Sequence, residues 1–335
     1  MPFQPENLLA QPVTRTLSVE LEPAQNVFHS LVLLAQADDK PGPSDWVVQT
    51  HLRMTQAERN TNRLVMIGLY FSITPLESWP SFPAYVTHLE SLSGESLRDR
   101  MLEKYASIQG GCDESDETLS TRSAEELDLA VVLASPESYL AFLRRHFDES
   151  TIDEDIEIQA YSYVIQPSRM KTLIVDHLRS MWDKYLVVEW ERVRPILQDS
   201  VNAFHQVDLE SMQPLEAARF ITGRELDEDK WACVLEGSKQ LIFVPNLHIG
   251  PYLWHCGRQD RYYIMFGAHL PPGAQFEAPD LSRAEIIVRL NALADDSRLR
   301  ILHYTSENGE QRAQDLIQML DLSQSAVSRR GFHQD

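Results

Sequence analysis

Three groups of side chains in this chain of 335 residues are suited by type and spacing to chemistry. His248, His255 and Cys256 are its densest set of metal-ligating or nucleophilic residues. His255 and Cys256 are neighbours, so on a strand they point to opposite faces and cannot converge on one ion without a bend. The expectation is a packed strand residue beside an exposed one, with no metal. A Cys256 nucleophile served by His248 is conceivable chemistry, but no accompanying motif supports it. Carboxylates cluster in DESDE, Asp113 to Glu117, and in DESTIDEDIE, Asp148 to Glu157. Hydrolytic pairs need two carboxyl groups in unlike environments, whereas runs this polar read as solvated loop charge. The aromatic residues Trp182, Trp190, Trp231, Trp254, Tyr262 and Tyr263 suit either a hydrophobic core or the wall of an apolar ligand pocket. The chain has no Gly-rich phosphate loop, HExxH, nucleophile elbow or CxxC. It is expected not to be an enzyme and to carry no cofactor.

The elements that must position these residues follow from composition and periodicity. Hydrophobic residues make up 43% and charged residues 24%, the balance of a chain that folds around a core. The length suggests two or three domains. Three cysteines are too few and odd in number for a disulfide framework, which fits a reduced, cytoplasmic setting. No run approaches the roughly 18 apolar residues of a membrane span, and the N-terminus shows no signal-peptide pattern.

Residues from about Leu17 to Leu102 read as helical with loops; Val27, Leu31 and Leu34 fall at helical spacing. DDKPGPSD, SWPSFPAY and QGGCDESDETLSTRS punctuate this half of the chain. SAEELDLAVVLASPESYLAFLRRHF predicts two helices, the second opened by Ser135-Pro136. The acidic DESTIDEDIE links to a long helical region from Pro167 to Val207, with a break or kink expected at Pro195. From Trp231 onward, WACVLEG, KQLIFVPN, YLWHCG and RYYIMFGA read as short strands of an antiparallel sheet. The expected fold is mainly α with a small antiparallel β-sheet. The domains are an acidic, mainly helical regulatory or ligand-binding domain over 1–269, with strands near 231–268, a Pro-rich linker over 270–281, and a C-terminal domain over 282–335.

The net charge of -20 disfavours nucleic acid for the chain as a whole. From Leu281 onward, however, 7 Arg meet 8 Asp or Glu, so the tail is nearly neutral. There, Ile286, Leu290, Leu293 and Ala294 make one apolar face. QRAQDLIQMLDLSQSAVSRR then reads as a short helix, a tight turn at Asp321-Leu322, and a further helix capped by Ser323. ALADDSRLRIL, followed about 20 residues later by LSQSAVSR, resembles the ArsR-type winged helix-turn-helix regulators over roughly Leu281 to Arg329. The preceding segment around Trp182, Tyr185, Trp190 and Pro195, with the strands after it, is similar to an uncharacterised helical domain found upstream of that module in some bacterial regulators.

The resemblance implies an intracellular transcription factor that binds double-stranded DNA as a homodimer, with the larger domain sensing a small-molecule effector or a partner. It places DNA contacts at Gln324, Ser325, Ser328 and Arg329, with Gln324 and Arg329 able to reach base edges and the serines able to reach phosphates or bases. Thiolate metal sensing in that family uses the helix before the recognition helix, where this chain has Arg312 and Gln314, which do not ligate soft metals. The pattern departs at Arg330-Gly331, where relatives continue with a His-Leu pair, a further helix and a β-hairpin wing. Gly331 costs about 1 kcal/mol in a helix interior. The expectation is a module truncated within its recognition helix, with DNA binding weak or lost. The alternative is a ligand-binding or interaction protein that does not bind DNA and carries a vestigial helix-turn-helix.

Overall fold

The computed structural model describes residues 16–39, 44–107, 128–209, 211–228, 231, 235, 238–250, 252–258 and 261–271. The chain divides into two compact units, Met1–Asp39 with Pro43–Pro271, and Lys40–Gly42 with Pro272–Asp335. All described residues belong to the first. Gln324, Ser325, Ser328 and Arg329, with the rest of the helix-turn-helix segment, lie outside the described residues, as do Cys112 and Cys233.

The first unit is mainly helical with a four-stranded sheet. Strand β1 (Thr16–Val19) leads into α1 (Pro23–Ala35). Every residue of α1 after Pro23 is buried, which makes it the central helix of the unit. It is surrounded by α2 (Asp45–Arg53), α3 (Gln56–Arg63), a π-helical turn at Leu64–Gly68, and α4 (Phe82–Ser91). Ser44, Thr55 and Ser81 cap the three α-helices, each hydroxyl accepting a backbone N–H of the first turn. Val27, Leu31 and Leu34 join the main core with Val65, Leu89, Leu97 and Leu178. That core is completed by α5 (Gly94–Ser107), α6 (Leu129–Val132), α7 (Pro136–His146), α8 (Glu154–Val164) and α9 (Pro167–Met181). Ser135 caps α7 at its first-turn Pro136, as the sequence predicts.

The long helical region is not broken where proline suggests. α9 passes through a π-helical segment, Trp182–Leu186, into α10 (Val187–Phe204), which continues without a break past Pro195. Pro195 is exposed, so solvent can satisfy the carbonyl its missing N–H leaves free. The irregular segment directly follows α9 instead. There Glu58, already the capping-box residue of α3, accepts from Lys184 Nζ at 2.8 Å and from the Tyr185 hydroxyl at 3.0 Å. These bonds, that of Lys184 foremost, hold the Glu58 carboxyl down to about 2.

The sheet is mixed, which corrects the antiparallel expectation. After α11 (Pro214–Thr222) come β2 (Gln240–Asn246), β3 (Trp254–Arg258) and β4 (Arg261–Gly267), in spatial order β1-β2-β4-β3. β1 pairs with β2 in parallel and β2 with β4 in parallel, while only the β3–β4 hairpin is antiparallel. The connection after β2 skips one strand position, so β3 lands outside β4 and the hairpin brings β4 back alongside β2. At Gly257 the hairpin closes so tightly that a Cβ would lie 2.4 Å from the Arg261 carbonyl oxygen. β1 was not foreseen, because four residues at the head of a helical stretch carry almost no periodic signal. In WACVLEG the described residues Trp231 and Leu235 are helical rather than extended, and both belong to one core cluster. Their four-residue spacing suits a helix face.

DESTIDEDIE also differs from its reading as loop charge. Its last residues open α8, Asp153 caps that helix, and Glu157 is buried against the Tyr139 hydroxyl at 3.3 Å. Burial pushes the Glu157 carboxyl up to about 8. The folded state therefore holds a proton that the unfolded chain releases near an ordinary carboxylate value. Stability should be greatest below about pH 4.5 for this group and fall as pH rises to about 8. Replacing Glu157 by Gln should flatten that decline, so urea midpoints measured from pH 5 to 9 should converge at low pH and favour the variant at high pH.

Candidate functional site

Helix α1 carries Gln25, Asn26, His29 and Ser30 on one face, with Glu22 as the residue before its first turn. Polar residues at such spacing ordinarily mark a solvated face. Here all five are buried, none more than 4% exposed. They lie against the sheet face formed by Ile242, Val244, Tyr263 and Met265 with Trp254 and Cys256. The opposite face, with Leu241, Phe243, Ile264 and Phe266, packs on Val201 and Phe204 of α10 and Ile221 of α11. The polar face of α1 thus forms a buried seam between the helical body and the sheet, and the apolar cluster on the facing strands is separate from the main core.

At one end of the seam the chain leaves β2. Asn246 Nδ2 donates to Asn26 Oδ1 at 3.0 Å, while Asn246 Oδ1 accepts the backbone N–H of His248 at 2.8 Å and of Ile249 at 2.9 Å. This closes a turn that fixes His248. The imidazole stacks on Trp46 of α2, with centroids 4.4 Å apart and planes 18° apart. Its Nδ1 lies 2.9 Å from Ser30 Oγ and its Nε2 lies 2.7 Å from Glu189 Oε1. Arg192 grips the same carboxylate through two N–H bonds, of 2.8 and 2.5 Å. Burial pushes Glu189 up, but the bonds from Arg192 and His248 outweigh it, so the group sits below the ordinary carboxylate range.

Ser30, His248 and Glu189 stand in the order of a hydrolase triad, but the hydroxyl is not offered to a substrate. Ser30 lies in mid-helix, 4% exposed, and its Oγ also lies 2.9 Å from the Asn26 carbonyl one turn back. The adjoining cavity, lined by Ser30, Glu189, Trp190 and His248, holds about 10 Å³, room for one water. Ser30 Oγ thus lies within bonding distance of both the Asn26 carbonyl and His248 Nδ1, and Nε2 of the same ring meets the Glu189 carboxylate. The result is a buried polar contact joining α10 to the turn after β2.

The other end of the seam lies at the head of α1. The exposed Ser78 donates its hydroxyl to the buried Glu22 carboxylate, and Gln25 Nε2 donates to the Pro75 carbonyl. The loop 74–80 is thereby drawn over Glu22 and Gln25. Gln25 Nε2 also approaches Cys256 Sγ at 3.8 Å, and burial pushes that thiol up, away from the reactive thiolate. Cys256 pairs across the hairpin with Tyr263. Ring contacts continue the lining: His29 lies 5.1 Å from Trp254, and Trp254 lies 6.4 Å from Tyr70.

Of the residues singled out from sequence, His248, His255 and Cys256 do not meet. His255 faces Tyr262, whose hydroxyl is 2.6 Å from Nδ1, and Trp231 on the α11 side of the sheet. Cys256 faces α1, and His248 is engaged by Ser30 and Glu189. Among the described residues no group of three His, Cys, Asp or Glu is placed to hold a metal ion. The aromatic set is dispersed: Trp182 lies against Phe82, Trp190 lines the small cavity, and Trp254 reaches the seam. Sequence reasoning missed Glu22, Gln25, Asn26, His29, Ser30, Glu189 and Asn246. Their signal is a polar stripe inside an otherwise apolar helix, which points inward only when both sides of that helix are covered.

Compared with family models, with characterised proteins and with solved structures, the chain matches none. Removing one partner of a buried hydrogen bond leaves the other unsatisfied, at a cost of about 1–3 kcal/mol. Glu189→Ala and His248→Ala should each lower the unfolding free energy measured in urea by that order. The double variant should recover at least ~1 kcal/mol relative to additivity. Strict additivity in that cycle rejects the pair as a coupled unit.

Proposed function

We propose that the chain is a ligand-responsive transcriptional regulator of ArsR type, in which the helical unit senses a small molecule and residues 282–335 engage double-stranded DNA. The observation that carries this reading is ALADDSRLRIL followed at the family's spacing by LSQSAVSR. Charge distribution is consistent with it, since nearly all of the net -20 precedes Leu281. A strongly acidic body next to a neutral tail leaves the tail as the part that DNA repels least.

The buried seam supports the sensing half. Polar groups cost free energy in a core unless their bonds are made, and a stripe of five on the central helix is an expensive way to fill a core. Such groups serve a site that recognises something, with the aromatic residues of β3, β4 and the helical body as its apolar wall. Binding there would bear on α1, the turn after β2 and α10 together, three elements through which a signal can pass. In this reading the protein works in the cytoplasm as a homodimer, and Gln324, Ser325, Ser328 and Arg329 make the DNA contacts. Among the described residues no helix is long and apolar enough to cross a membrane.

Gel retardation of a fragment from the gene's own promoter tests the reading. A retarded band that weakens steeply with salt is expected. Arg329→Ala should weaken binding by about 1–3 kcal/mol if it reads a base, or reduce the salt slope by about one if it holds a phosphate. Gln324→Ala should relax preference at one base pair by a similar ~1–3 kcal/mol. No retardation at low salt rejects DNA binding and leaves a ligand-binding protein.

A further inference from the structure

We propose that the head of α1 is a binding site for a small organic cation bearing N–H donors, held by Glu22, Gln25 and Tyr263 beneath the loop 74–80. The proposal rests on the sensing half of the reading above and names the chemistry of its ligand.

The first argument is a hydrogen-bond balance. Gln25 is fully buried and spends its Nε2 on the Pro75 carbonyl, which leaves Oε1 buried without a donor. Tyr263, equally buried in the middle of β4, has a hydroxyl with no hydrogen-bond partner. Burial pushes that phenol up, while Ser78 and Arg261 beside it draw it back down. Each such unmade bond destabilises the fold, and native cores rarely leave two in one place. The two are neighbours: Gln25 touches Cys256, and Cys256 is the cross-strand partner of Tyr263. Glu22 lies one turn before Gln25 and shares Ser78 with Tyr263 as a neighbour. The centre is therefore rich in acceptors and short of donors.

The second argument is charge. Among the described residues no cation forms an ion pair with Glu22. Burial pushes the Glu22 carboxyl up against the pull of Ser78 and, more weakly, of Arg261, whose Nε is given to Gln240 Oε1 at 3.0 Å. The Ser78 hydroxyl is the only donor the fold supplies to Glu22 among the described side chains. An incoming ammonium, amidinium or guanidinium supplies the missing positive charge and donors together, for Glu22 and for Gln25 Oε1. An anion would face Glu22 unpaired, and a neutral amide would bring donors without compensating the charge. The third argument is the wall and the entrance. Tyr263 belongs to the centre, and Trp254, against His29 one turn further along α1, continues the aromatic wall with Tyr70 beside it; aromatic faces favour desolvated cations. On the solvent side the exposed Ser78 bonds Glu22, so entry is by displacement of the loop that carries it.

Methylguanidinium and phenethylammonium, each titrated into the full chain without DNA, test the site by calorimetry and by thermal melting. Propionate and acetamide at matched ionic strength are the comparators. Saturable binding of at least one cation is expected, absent for the comparators and weakened roughly tenfold or more in Glu22→Gln, the loss of a charge-assisted bond. Tyr263→Phe removes only a hydroxyl the fold leaves unbonded. It should be at least as stable as the parent yet bind the cation several-fold more weakly, so it also carries the test if Glu22→Gln fails to fold. Glu77→Gln, on the exposed side of the same loop, should bind as the parent does. The proposal is overturned if neither cation binds saturably, if propionate or acetamide binds as well, or if Glu22→Gln and Tyr263→Phe bind like the parent. Because no DNA is present, these outcomes and that of the gel retardation are independent.

Discussion

The constraint on which this structure turns is the burial of both faces of α1. One face is apolar and joins the main helical core through Val27, Leu31 and Leu34. The other is polar and is covered by the sheet. A helix with a polar stripe can sit in a core only if something satisfies that stripe, since an unpaired buried polar group costs about as much as several good contacts return. The turn after β2, the loop 74–80 and the hairpin of β3 and β4 all take part in meeting that demand. The mixed sheet topology serves it too: the chain must cross the end of β4 after β2, and that crossing carries Asn246 and His248 to Asn26 and Ser30.

The seam's two ends solve the same electrostatic problem differently. At Ser30 the network is closed. Every member has a partner, the carboxylate of Glu189 is gripped by Arg192 and His248, and the remaining space suits one water. Such a closed network fixes the angle between α10 and the sheet. At Glu22 the network is open, with a carbonyl oxygen and a phenolic hydroxyl left over. One end is therefore closed and fixes geometry, while the other keeps acceptors without donors. The same comparison explains why a Ser-His-Glu arrangement does not amount to catalytic machinery: catalysis needs a nucleophile exposed to substrate, and here the hydroxyl is committed inside a helix.

Much of the helical framework was legible in the sequence. Ser135-Pro136 opens α7, β2 and β4 lie within KQLIFVPN and RYYIMFGA, and β3 begins in YLWHCG and runs one residue past it; SWPSFPAY, read as punctuation, already holds the first turn of α4. These succeed because caps, prolines and apolar runs act over a few residues. The misreadings share the opposite property. The partners of β1, the crossing that makes the sheet mixed, and the burial of Glu157 all depend on residues far away in the chain. Pro195 and the π-helical segment near Glu58 add a related lesson: where a helix deforms is decided by which side faces solvent and which neighbours bond to it.

The sequence by itself determined that the described unit is mainly helical with a small sheet, and most of its element positions, because each rests on local spacing. It also placed polar residues at 25, 26, 29 and 30 on one face of a helix. Only the tertiary structure decided that this face is buried and what it meets. Helical periodicity says which residues share a side, but the packing of a sheet built from residues 16–19 and 240–267 decides whether that side faces water or a core.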